Sequence, residues 1–227
     1  LKDVFKRPDA LNYHPLTMLT MRWNNNACQD CEHGISARPF IAWNLILHIL
    51  NSLLVLVFMY QMTKKNKGLS LVLASLFALH PMHVESVVWV SERKDVLYGF
   101  FFLSGLLTYI KYLNTKSYSW LLSTFLLFVA ACMSKAMAVV FPLVMLLLYF
   151  WNEPSKKSKE SLKNTLQYSA FKHSIPFFIV AIFVGIMALQ IQAGQNFGGL
   201  LEVPLDAKVA INQLDTYSFL QRIQFAR

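Results

Sequence analysis

Charge is scarce in this chain. Only 15% of its 227 residues are Asp, Glu, Lys or Arg, while 56% are hydrophobic. A soluble domain of this size needs a polar surface that such a composition cannot supply, so that class is excluded. The apolar residues run continuously instead of alternating, which argues against a β-barrel. Cysteine is nearly absent, with three in all. Cys28-x-x-Cys31 has Glu32 where c-type haem attachment needs His. One Cys pair with a single nearby His33 also falls short of a structural zinc set. Ordinary loop thiols, a local disulfide and a metal pair stay open for Cys28 and Cys31. Cys132, inside an apolar run, reads as a buried thiol. No Gly-rich phosphate loop and no nucleophile elbow occurs. No period near 34 residues marks a repeat array. No basic domain stands apart to bind nucleic acid, although the net charge is +9.

What is present is a series of apolar runs approaching the ~20 residues that span a bilayer. Six are expected as spans: 40–62, 69–79 continuing towards 89, 96–113, 118–133, 136–151 and 174–192. The fold class is therefore an all-α polytopic membrane protein. Residues 1–39 read as an external loop with a surface helix. Residues 40–192 form the transmembrane bundle, including an external segment 80–95, and 193–227 begin a further external region. No signal-peptide pattern precedes the first span, and the chain reads as part of a longer protein.

The run 69–79 is too short to cross alone. At ~1.5 Å per residue it falls well below the ~30 Å hydrocarbon core. Either the helix continues through His80-Pro81 towards Trp89, or a water-filled cavity makes up the depth. Asp95 is expected to cap the next helix, and Pro176 to sit in the first turn of the last, where proline is tolerated.

Lysines sort to one side when the spans alternate. Lys64, Lys65, Lys67, Lys111, Lys116 and the lysines of 156–172 share that side. The positive-inside rule makes it cytoplasmic. The opposite side collects residues 1–39, 80–95, Lys135 and 193–227.

That non-cytosolic side holds the candidate chemistry. His80-x-x-His83-x-Glu85 can supply ligands to a divalent metal, since imidazole and carboxylate suit zinc or manganese; manganese or magnesium is the cofactor expected. The same groups can instead satisfy helix ends beside Pro81. Arg93 and Lys94 form either a solvated helix edge or a phosphate clamp, a role that suits the guanidinium fork. Lys135 sits between two apolar helices with Ser134 beside it; it either snorkels at a helix end or meets a lipid-linked phosphate. Asn44, His48 and Asn51 lie four and three apart on one helix face. Interhelical hydrogen bonding is the commoner use of such a face, with Asn44 and His48 also candidates for substrate contact.

Several segments, in order, resemble the membrane part of the transmembrane and tetratricopeptide-repeat-containing O-mannosyltransferase-like family. They are Tyr13-His14-Pro15-Leu16-Thr17, Asn44-x-x-x-His48-x-x-Asn51, Ala78 to Val87, Glu92-Arg93-Lys94-Asp95-Val96-Leu97 and Met133-Ser134-Lys135-Ala136-Met137-Ala138-Val139. Residues 24–38 depart from the family pattern. The resemblance implies a C-type (GT-C) glycosyltransferase fold in the endoplasmic reticulum or bacterial inner membrane. It also implies sugar transfer from a polyprenyl-phosphate donor to a protein acceptor outside the cytosol. On that reading Glu85 assists a metal or the acceptor. His80 and His83 shape the site and contact metal or phosphate, and Arg93, Lys94 and Lys135 stabilise the departing phosphate. The family's Asp-Asp segment after its first span and its repeats are not found in these residues, and Asp3 and Asp9 are poor substitutes. Two rival readings are a transporter or flippase for lipid-linked sugars and a non-catalytic membrane scaffold.

The lysine asymmetry yields a topology test. A cysteine placed at Asn66 in a cysteine-free background should react with impermeant maleimide only from the cytosolic side. Labelling from the opposite face would falsify the assigned orientation.

Overall fold

A computed structural model describes residues 13–27, 37–152 and 161–193. Cys28, Cys31, Asp3, Asp9 and the region 194–227 lie outside the described residues. Among those described, every regular element is helical. Helix α1 covers Pro15–Ala27, α2 Arg38–Met62, α3 Lys67–Leu79, α4 Met82–Val88, α5 Arg93–Thr115, α6 Tyr118–Ser134, α7 Phe141–Asn152 and α8 Ser161–Gln192. Short 3₁₀ turns, Val90–Glu92 and Ala136–Val140, join α4 to α5 and α6 to α7. This is an all-α membrane bundle.

The solvent each face meets is legible in α2. Leu45, Ile46, Ile49, Leu53 and Val57 are exposed, whereas Asn44 and Asn51 are buried. In water that arrangement would be inside out. In a bilayer, tails solvate the aliphatic face and the amides turn inward to find partners. Its 25 residues rise about 37 Å, enough to cross.

Three helical stretches are long and apolar enough to span, Arg38–Met62, Val90–Thr115 and Lys172–Gln192. The sequence led us to expect six. The difference lies in where polar or proline residues cut the runs. Helix α3 stops at His80, whose backbone is extended at φ −66° and ψ 127°. The Pro81 ring disfavours helical geometry in the residue before it. The chain restarts as α4, bent by 58° from α3. Together α3 and α4 meet the composition of a span, as a broken or re-entrant one. Of the two alternatives for this run, a single continuous helix is therefore the one not adopted. Likewise Ser134-Lys135 and the 3₁₀ turn separate α6 from α7, leaving two shorter apolar helices.

Two local expectations are corrected. Helix α5 begins at Arg93, and its N-cap residue Glu92 makes no side-chain cap bond. Asp95 therefore lies inside the first turn, not at the cap, and its carboxylate is engaged elsewhere. Pro176 falls within α8, which starts at Ser161. Its missing N–H removes one internal hydrogen bond.

The densest packing joins α5 to α6. Phe128, Phe141 and Phe177, from α6, α7 and α8, are each at most 1% exposed. Their ring centroids lie 5.2 to 6.2 Å apart. Gly105 of α5 makes room for this cluster, because a Cβ there would stand 3.0 Å from the Phe141 ring. Phe141 is hemmed in by Phe102, Phe128 and Phe177 and has nowhere to retreat. Gly105→Val should therefore overpack the core and cost about 1–3 kcal/mol. Thermal melting in detergent checks this; an unchanged melting temperature would show that the phenyl cluster yields freely.

Candidate functional site

Arg93 opens α5 and is 2% exposed. Its Nε donates to Asn44 Oδ1 at 3.0 Å, its Nη1 to the Thr20 carbonyl at 3.3 Å and its Nη2 to the Phe40 carbonyl at 3.0 Å. The guanidinium also lies 5.3 Å from the centre of the Phe40 ring. A buried cation without hydrogen-bond partners would be prohibitively costly, and here three neutral oxygens and an aromatic face surround it. The Asn44 amide nitrogen donates to the Val87 and Trp89 carbonyls at 3.3 and 3.2 Å. It thereby satisfies the chain where α4 ends.

This geometry corrects two expectations. Arg93 is not an open phosphate clamp, because its fork is spent on α1 and α2. Asn44 is not a substrate contact, because both ends of its amide are occupied in a fully buried position. They form one structural node joining α1, α2, the α4 end and α5.

Next to that node lies a cavity of about 230 Å³. His48, Asn51, Phe77, His83, Ser86, Asp95, Tyr98 and Lys135 line it. Lys135 follows the last residue of α6 in extended backbone. Its ammonium forms a charge-assisted hydrogen bond with Asp95 Oδ1. Both side chains keep about a third or less of their surface exposed, so the pair is reachable from the cavity. A lone lysine between apolar helices needs a counter-charge, and the carboxylate in the first turn of α5 supplies it. That requirement is the signal in the sequence for an Asp95 role other than capping.

Lys135 also borders a second cavity of about 210 Å³, lined by Tyr13, His14, Glu92, Lys94, Ser134 and Gln192 among others. Lys94 pairs there with Glu92 at 3.1 Å. Burial pushes the Tyr13 phenol above its ordinary value, so its hydroxyl stays protonated. Helix α1 is seated beside this cavity by the Thr17 hydroxyl, which donates to the Ser134 carbonyl at 3.2 Å. Lys135 thus stands between two polar cavities at one end of the bundle.

The imidazoles divide. His48 and His83 both line the first cavity, with ring centroids 5.3 Å apart. His48 Nε2 bonds the Ala78 carbonyl at 3.1 Å. A carbonyl can only accept, so Nε2 carries the proton. His80 is exposed; its Nδ1 accepts the Met82 N–H at 3.2 Å, and it borders an apolar groove on α3 instead. Glu85 is exposed on α4 and lines neither polar cavity. His83 and Glu85 lie two apart on α4 and so point in different directions, while His80 precedes the break at Pro81. Among the described residues no three of His, Cys, Asp and Glu converge to hold a metal. The His80, His83 and Glu85 ligand set is thus not assembled.

The node makes a stability prediction. Arg93→Lys keeps the charge but cannot reach all three oxygens, spread over α1 and α2, at once. It should destabilise the bundle by about 1–3 kcal/mol, the cost of leaving buried polar groups unpaired. Melting in detergent measures this, and wild-type stability would argue that the fork is dispensable.

The chain is 37% identical over 116 residues, half of its length, to protein O-mannosyl-transferase TMTC1 of Homo sapiens. It is 38% identical over 112 residues to human TMTC4, and 32% identical over 124 residues to TMTC2 of Mus musculus, covering 44% and 50% of this chain. The matched stretches are 12%, 15% and 13% of those relatives, so the chain corresponds to a small part of each. No family model and no solved structure matches. Over about half its length, the chain resembles the TMTC protein O-mannosyl-transferases.

Proposed function

We propose that this chain is part of a membrane glycosyltransferase that moves a sugar from a polyprenyl-phosphate donor to a protein hydroxyl outside the cytosol. The relatives' name makes mannose the leading sugar, and their animal sources favour the endoplasmic reticulum membrane over a bacterial inner membrane. The observation that carries the reading is Lys135. It is a cation held by one carboxylate, between two polar cavities, at the end of an apolar bundle.

In such a transfer the acceptor oxygen bonds the anomeric carbon while the bond from that carbon to phosphate oxygen breaks, and the acceptor hydroxyl's proton ends on the departing phosphate. The lipid phosphate leaves with the electron pair, and negative charge grows on it. A preoriented cation at that point stabilises the transition state more than the ground state. Lys135 takes this role. Asp95 is a positioning residue that holds the ammonium at the cavity mouth until phosphate competes for it. Lys94 stands beside the second cavity as a further cation. His48, His83 and Ser86, on the first cavity's wall, contact sugar or acceptor hydroxyls. His80 and Glu85, exposed on the same short segment, meet the acceptor.

Lys135→Ala in the full-length protein should lower transfer of labelled sugar by ~10²–10³. A partly exposed ion pair contributes about 1 kcal/mol or less, so melting should hardly change. Lys135→Arg should rescue only in part, since the planar fork is not a point charge. Asp95→Asn should lose less than Lys135→Ala, because the cation remains but is no longer held. Full transfer by both Lys135→Ala and Asp95→Asn in membranes would sink the assignment.

A further inference from the structure

The other end of the bundle carries a second feature, independent of sugar transfer. The turn between α2 and α3 reads Lys64-Lys65-Asn66-Lys67, and all four residues are exposed. Lys64 and Lys65 both adopt left-handed backbone, with φ of 53° and 69°. Glycine or asparagine occupies that region with least strain, and a lysine there is uncommon. Two in succession persist only where neighbours over-determine the turn.

The neighbours do so. Lys65 N–H donates to the Tyr60 carbonyl at 2.9 Å. Thr63 Oγ1 donates to the Met59 carbonyl at 2.8 Å, and it also lies 2.7 Å from Ser70 Oγ. Ser70 Oγ donates to the Asn66 carbonyl at 2.6 Å, and Asn66 Oδ1 accepts from Leu69 N–H at 3.1 Å. A rigid turn therefore presents three ammonium groups.

No acidic residue lies between Glu32 and Glu85 in the sequence. Among the described residues ion pairs form at Lys94–Glu92 and Lys135–Asp95, not at these lysines. Directly beside the turn, a groove of about 380 Å³ runs between α2 and α3. It is lined by Leu56, Val57, Tyr60, Lys67, Ser70 and Leu71. Val57 and Leu71 are 47% and 58% exposed, so the groove opens on the face that meets lipid. Lys67 belongs to both turn and groove.

We propose that this turn and groove form a binding site for one anionic phospholipid. Its headgroup phosphate sits among Lys64, Lys65 and Lys67, and an acyl chain lies in the groove along Val57 and Leu71. Charge complementarity selects the occupant. A neutral lipid or a packed apolar helix would use the groove and leave three cations unanswered, whereas an anionic headgroup uses both. Basic residues at the membrane surface attract such lipids by about fivefold in affinity each.

The test uses the full-length protein purified in neutral detergent. Phosphatidylinositol and phosphatidylcholine are titrated separately, and binding is followed by native mass spectrometry and melting temperature. Phosphatidylinositol should bind and raise the melting temperature, less so at high salt, while phosphatidylcholine should do neither. The double variant Lys64→Asn with Lys65→Asn keeps a turn that asparagine adopts readily. Its intrinsic stability should hold or rise while its phosphatidylinositol affinity falls by roughly 10–30-fold. Lys67→Gln should weaken binding without touching the left-handed residues. Leu71→Trp, which fills the groove, should also weaken binding with all lysines present. Soluble glycerophosphoinositol should bind far more weakly than the intact lipid. The site is overturned if the lysine variants keep wild-type affinity. Equal binding of phosphatidylcholine, or of the soluble headgroup, would overturn it too.

Discussion

A buried guanidinium is the constraint on which this bundle turns. Arg93 has left water almost completely and meets no carboxylate among its hydrogen-bond partners. Its cost is offset only if several neutral oxygens from separate segments converge on it. Those oxygens come from Thr20 in α1 and from Phe40 and Asn44 in α2. Asn44 then extends the network to Val87 and Trp89, where α4 gives way to α5. Three segments distant in sequence, α1, α2 and the α4–α5 junction, are thereby held in one geometry, and none can shift without stranding a buried polar group.

The polar cavities depend on that node. Asp95 lies two residues after Arg93, so fixing Arg93 also fixes where the carboxylate meets Lys135. The cavity wall formed by His48 and Asn51 belongs to α2, the helix that Arg93 grips. Asn51 adds its own tie, donating to the Val96 carbonyl at 2.8 Å. Gly99 then brings α5 close to that amide, since a Cβ there would lie 3.2 Å from it. Structural groups and accessible groups alternate within the first two turns of α5: Arg93 and Val96 hold the bundle, and Asp95 and Tyr98 meet the cavity.

The bilayer explains why polarity is sorted in this way. Aliphatic side chains can face lipid at no cost, so the exposed surface is rich in Leu, Ile and Val. Every amide, imidazole and charge must find a partner, a cavity or the membrane surface. The Phe128, Phe141 and Phe177 cluster packs one part of the bundle through shape, and the Arg93 node secures the other through directed hydrogen bonds. The lysine turn at α2–α3 and the Lys135 region then meet two different environments.

Some of this was determined by sequence alone. Continuous apolar runs dictated helices in a membrane, because only internally hydrogen-bonded backbone survives there. The spacing of Asn44, His48 and Asn51 placed them on one inward face, as observed. The polar Ser134-Lys135 break and the imidazole-bearing segment around Pro81 marked the region of the cavities. Tertiary structure decided which of these groups remain accessible. Arg93, Lys94 and Asp95 are consecutive and ionic, yet one is buried, one pairs locally and one meets Lys135. His83 reaches the cavity while His80 and Glu85 do not. Neighbours in sequence point in different directions on a helical turn. Which direction is inward depends on the helices packed around it, and those contacts are made by residues dozens of positions away.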